Sequence, residues 1–239
     1  MLSINSGRSM VKYRQSIKKG KSVPPDFKYL GSDKPISSID VKDSTLLLQL
    51  LGLVIIRIAD NVLELLPKYN DNWEKVATEL ALISKLNCYR AYVDTALEAS
   101  KTADPSVLPV LSKVINLWAN YVVKEYASSF LKYGLINKDK LTEVEVNIFN
   151  NLLPFLRTQI VGLTDAFQLN DFLVNSPLGA YDGDFYNKYF DQINLVNNNN
   201  SEYDTVDYKD EILGLLNRPS VDVREFNEKS EEALTKLGK

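Results

Sequence analysis

The chemistry open to this chain is bounded first by a side chain it lacks: none of its 239 residues is histidine. That removes a Ser-His-Asp triad, a Cys-His pair, a His-ligated zinc and a histidine general base. One thiol is present, Cys88. It cannot close an internal disulfide, and so fits an intracellular compartment. With Leu86, Tyr89 and Tyr92 around it and no adjacent cation, it is expected as a packed core thiol rather than a nucleophile. Carboxylates are plentiful but poorly placed for catalysis. Asp165 and Asp171 flank a helix end, where caps and turns need acceptors. Asp182-Gly183-Asp184 could hold a cation, yet an EF-hand loop alternates its carboxylates with glycine at the sixth position, and this segment does not. The better account is a tight turn at Gly179 and Gly183, with Asp184 capping a helix that carries Phe185, Tyr186, Tyr189 and Phe190. Those rings fall on two neighbouring stripes, which suits a core or subunit contact better than a stacking platform for a ligand. No metal site is expected. The basic cluster Arg8, Lys12, Arg14, Lys18, Lys19 and Lys21 contains no acid until Asp26. It could attract the phosphates of a nucleotide cofactor or coenzyme A, but is expected as a solvated helix face.

The elements that would position these groups all read as helices. Leu2 to Lys19 forms the first, with Gly20 as its left-handed cap. A polar connector follows through about Asp40, punctuated by Pro24-Pro25, Gly31-Ser32 and Pro35. Asp43 or Ser44 caps a second helix that ends at Leu66, before Pro67. Its Leu46–Ala59 run is apolar on all sides, as in a buried helix, and falls short of the ~20 residues a membrane span needs. A third helix spans about Asn72 to Ser100. Asp104-Pro105 opens a fourth, which carries Leu111, Ile115, Trp118 and Val122 on one stripe and ends at Gly134. Trp73 and Trp118 are both expected to be largely buried. Thr142-x-x-Glu145 reads as a capping box for a fifth helix striped by Val144, Ile148, Leu152, Leu156, Ile160 and Leu163. Pro154 should kink or split it.

No stretch alternates as a strand would. The expected architecture is an all-α bundle of four or five helices. Three segments are expected: 1–43, a first helix and polar connecting loop; 44–195, the helical bundle; and 196–239, an asparagine-rich linker and polar tail containing a short helix near Lys209–Leu216. A formal net charge of −3 argues against a nucleic-acid partner. No signal peptide is evident at Met1.

The order of residues between Ile160 and Phe190 carries a resemblance. A helix ending in Asp165-Ala166-Phe167 precedes a turn with Leu178, Gly179, Tyr181, Asp182 and Gly183, then a helix bearing Tyr186. This is similar to the C-terminal signature of the peroxisomal acyl-CoA oxidases (D-A-F, then L-G-R-Y-D-G), with Ala180 where that family usually has arginine. The likeness extends to Leu2-Ser3-Ile4-Asn5-Ser6-Gly7-Arg8, Val11-Lys12, Lys19-Gly20-Lys21, Tyr29-Leu30, Ala91-Tyr92-Val93 and Tyr133-Gly134-Leu135. It thus covers most of residues 1–195, and its flavour is fungal. It implies a bundle of the acyl-CoA oxidase/dehydrogenase C-terminal type. The enzyme it implies is FAD-dependent, turns acyl-CoA into trans-2-enoyl-CoA and hydrogen peroxide in fatty acid β-oxidation, is dimeric, and resides in the peroxisome, although Leu237-Gly238-Lys239 is not an S-K-L type terminus. The family's catalytic glutamate, in an E-G-x-N segment, would lie a few residues before Met1. The isolated chain is therefore expected to be inactive, to assemble as a homodimer or with full-length oxidase subunits, and to bind FAD poorly alone. The alternatives are a non-catalytic relative that binds or regulates a full-length oxidase, and an unrelated helical adaptor.

Overall fold

The computed structural model describes residues 2–198 and positions 228, 229, 231, 232 and 235. Of the linker and tail expected over 196–239, residues 196–198 belong to a helix (Phe185–Asn198), and the short helix near Lys209–Leu216 lies outside the described residues. The chain divides into two units, Met1–Ala166 and Phe167–Lys239.

In the first unit, α1 (Leu2–Lys18) ends in a Schellman motif: Gly20 has φ 71°, its N–H donates to Ile17 and that of Lys21 to Ser16. The connector is less irregular than its prolines suggest, because Pro25–Gly31 winds into a 3₁₀ turn that buries Leu30. Helix α2 (Ser44–Leu65) starts where Asp43 accepts from the Thr45 and Leu46 N–H groups. It continues as a 3₁₀ turn to Tyr69, ended by left-handed Asn70. With that turn it is long enough to span a membrane, contrary to the expected shortfall. Most of its apolar length, however, is buried, with Leu47, Leu51, Val54, Ile55 and Ile58 all inside the bundle.

Asn72 caps a 3₁₀ turn (Trp73–Val76) that leads into α3 (Ala77–Ser100), which packs on both α1 and α2. Helix α4 (Leu108–Glu125) begins a turn later than expected: Asp104 accepts from Ser106 N–H and closes a turn, and Pro109, not Pro105, occupies the first helical turn. After a break at Tyr126, α5 (Ala127–Lys132) ends at left-handed Gly134.

The last long element starts at Lys138, not at Thr142. Asn137 is the cap and accepts from Lys140 N–H, while Thr142 sits inside α6 (Lys138–Val146), donating back to the Lys138 carbonyl. Before Pro154 the helix widens into a π turn (Asn147–Leu152) and resumes as α7 (Leu153–Arg157). Proline lacks the N–H an α ladder needs, so the expected distortion sits here. Val144, Ile148, Leu152 and Leu156 are buried, but the stripe stops there: Ile160, in α8 (Ile160–Asp165), is exposed.

α1 to α6, with Ile148 of the π turn, thus share one core, and no strand occurs among the described residues. Both tryptophans are only partly buried, and Cys88 lies on an exposed face of α3, not in the core. The surface side of α3 and α4 is itself aromatic: Trp118 is edge-on to Tyr89 and close to Tyr92 and Tyr121. That side therefore looks apolar in sequence without being interior.

The second unit contains α9 (Asp171–Val174), a 3₁₀ turn (Pro177–Gly179) and α10 (Phe185–Asn198).

Candidate functional site

The signature residues fall on both sides of the division. Asp165 is the last residue of α8 and Ala166 its C-cap. Phe167 opens the second unit with its ring exposed. Leu178 and Gly179 lie in the 3₁₀ turn, Tyr181 and Asp182 in the following turn, Gly183 at its left-handed corner (φ 75°) and Tyr186 in the first turn of α10.

Within the second unit, two carboxylates and one ammonium organise this turn. Asn170 caps α9, accepting from Leu173 N–H, and leaves Asp171 free to reach across the loop. One Asp171 oxygen accepts from Tyr181 N–H at 3.1 Å and the other from Lys188 at 3.1 Å. Lys188 also meets Asp182 at 3.0 Å. Asp182 in turn accepts from Asp184 N–H, and Asp184 caps α10 as expected, accepting from Asn187 N–H. The Asp184 N–H bond and the Lys188 ammonium hold the Asp182 carboxyl below the usual range, and the two carboxylates raise Lys188. Gly179 is needed for closeness rather than for φ, because a Cβ there would stand 2.6 Å from Val174 Cγ1.

Lys188 was missed from sequence. Its spacing from Asp184 looks like an ordinary helical i,i+4 pair, but Asp184 is occupied as a cap.

What this scaffold displays is apolar. Phe172 is 89% exposed, Leu178 80%, Tyr181 80% and Tyr186 73%. Phe185 and Tyr189, at 5.6 Å, continue the aromatic face. The charged groups of this turn, Asp171, Asp182 and Lys188, are engaged with one another, and its aromatic side chains face outward.

The basic cluster on α1 is taken apart by the fold. Arg14 is buried and donates to Asp60, Asp33 and the Leu30 carbonyl, and Lys18 also pairs with Asp60. Arg8 and Lys12 lie over the Trp73 ring. Only Lys19 and Lys21 remain as a solvated pair.

The acyl-CoA oxidase family model matches residues 43–217. The chain belongs to the acyl-CoA oxidase family. It is 29% identical to the acyl-coenzyme A oxidase of Debaryomyces hansenii, over all of this chain and 35% of that one. With the oxidase of Komagataella pastoris the identity is 33%, over 69% of this chain and 23% of the relative. Among solved structures, acyl-CoA oxidase 3 of Yarrowia lipolytica superposes with a TM-score of 0.77 and 26% identity, over 92% of this chain and 33% of that one. Acyl-CoA oxidase-1 of Caenorhabditis elegans, solved in complex with FAD and ATP, shares the fold with a TM-score of 0.72. This member of the acyl-CoA oxidase family spans about a third of the length of its relatives.

Proposed function

We propose that this chain is the C-terminal helical part of an FAD-dependent acyl-CoA oxidase, which converts acyl-CoA to trans-2-enoyl-CoA with release of hydrogen peroxide in peroxisomal fatty acid β-oxidation. Its own contribution is structural and dimer-forming. The observation that carries this reading is that the whole chain aligns with about a third of an oxidase, and not with a complete one.

Two features support a structural role. The shifted carboxylates, Asp33, Asp60, Asp104 and Asp182, are all held low, which is wrong for a general base near pH 7. The exposed apolar face of Phe172, Leu178, Tyr181 and Tyr186 supports assembly with a second copy or with oxidase subunits.

The test is to express the chain alone and together with the unmatched part of the Debaryomyces hansenii oxidase, supply FAD and acyl-CoA, and follow peroxide. Silence alone and activity together is the expected pattern. Peroxide from the chain alone, or failure of the two parts to associate, refutes it. Binding to the intact oxidase but not to its truncated form would instead make the chain a separate regulatory partner.

A further inference from the structure

A cleft of about 430 Å³ opens between the Ser32–Ser38 stretch and the middle of α2, with Arg90 of α3 at its base. That volume is within the range of small-molecule sites, roughly 300–1,000 Å³. The charged side chains lining it are both cations, Lys34 and Arg90. Arg90 stacks on the Tyr29 ring at 3.8 Å from its centroid. Burial pushes the Tyr29 phenol up, with the Arg90 charge pulling against it, so it stays protonated and donates to Asn87 at 2.7 Å. The guanidinium itself is under-used. It makes a 3.3 Å hydrogen bond to Asp94, its Nε is buried without a partner, and a guanidinium has five donors to give.

The space exists because position 52 is glycine: a Cβ there would sit 3.3 Å from the Tyr29 ring and 3.7 Å from Arg90 Nε. The wall facing α2 is fixed although it has no regular structure. Arg14 grips Asp33 at one end, and Asn116, Asn120 and Asn147 all donate to the Val41 carbonyl at the other. A twelve-residue segment without helix or strand, Ser32–Asp43, held this firmly at both ends, is shaped for a task rather than left slack.

We propose that this cleft binds a small phosphate monoester. Lys34, Arg90 and the hydroxyls of Ser32, Ser37 and Ser38 take the phosphate, because a dianion needs two cations and several donors in one place. The body of the ester lies along Ile36, Leu46 and Leu53, the apolar half of the lining. This assignment does not depend on the oxidase reading, since it uses only groups within the first unit.

The experiment is calorimetric titration of the full 239-residue chain with phenyl phosphate, and with inorganic phosphate as competitor. Saturable binding is expected, weakened roughly tenfold by Lys34→Gln and more by Arg90→Gln. Lys101→Gln, which removes a cation paired with Glu98 at the far end of α3, should change nothing. Lys34→Gln is the deciding variant, because Lys34 is exposed and its loss leaves the fold intact, whereas Arg90 also supports Tyr29. No saturation, or wild-type affinity in Lys34→Gln, overturns the proposal.

Discussion

Arg14 ties together three segments distant in sequence: its own helix, the connector at Leu30 and Asp33, and α2 at Asp60. Replacing it leaves a carboxylate that is only 17% exposed with Lys18 as its remaining cation. Arg14→Gln should therefore cost about 3 kcal/mol, read from a urea midpoint. The same cluster sets an acid limit. Hydrogen bonding to Arg14 holds Asp33 below the ordinary 3.8. At Asp60 burial works the other way, but the hydrogen bonds and charges of Arg14 and Lys18 outweigh it. Carboxyls depressed in the fold contribute stability that is complete above about pH 4 and is lost as pH falls through their folded values. The midpoint should fall on acidification below that point, and less steeply in Arg14→Gln. No sequence pattern reveals this arrangement, because Arg14 and Asp60 are 46 positions apart and share no helix face. Cap residues are the opposite case. Asp43 and Asp184 were legible because a cap acts on amides two or three residues away.

Helix α1 crosses α3 with Gly7 at the contact, where an added Cβ would overlap the Leu80 carbonyl. The obstacle is backbone, so it cannot rotate aside. Gly7→Ala should lower stability by about 1–3 kcal/mol despite its better helix propensity. A same-sized change at Gly162, where nothing stands within 4 Å, should not. The π turn solves a problem written into α6 and α7. Apolar residues at strict spacings of four drift by about 40° per step around an α-helix, so Val144, Ile148, Leu152 and Leu156 could not all face inward on a straight one. A wider turn absorbs the drift, and all four are buried. The sequence showed Pro154 and the stripe but not this reconciliation. Thr142 misled because a capping-box pattern is local, and the competing Asn137 signal lay one turn earlier. In the second unit, Lys188→Met should leave the global midpoint unchanged yet speed amide exchange at Tyr181, whose N–H depends on Asp171 being held in place.

At the scale of the whole molecule, the signature segment displays side chains that ordinarily seek cover. The isolated chain should therefore self-associate at micromolar concentration. Sedimentation that shows a monodisperse monomer would remove the assembly role. Replacing Phe172 and Tyr186 with Ser should shift any oligomer toward monomer without altering the urea midpoint of the first unit. The all-helical fold and the family were legible in advance because amphipathic spacing and the D-A-F and Y-D-G words are short-range. The buried or exposed fate of Trp73, Trp118 and Cys88 was not, because it depends on which helices become neighbours. An aromatic surface stripe has the same spacing as a core one.

The three amides that converge on the Val41 carbonyl reach across 75, 79 and 106 positions of chain. Two lone pairs cannot serve three donors equally, and the Asn120 bond, at 2.8 Å, is the shortest. Contacts that close such long loops come late in folding, since the entropy of closure is spent before they reward it. The connector is thus latched only after α4 and the π turn have docked. Asn147→Ala should accelerate unfolding while leaving the refolding rate almost untouched. Seen in time rather than in space, the cleft beside Arg90 would be among the last parts of the unit to take shape and among the first to open.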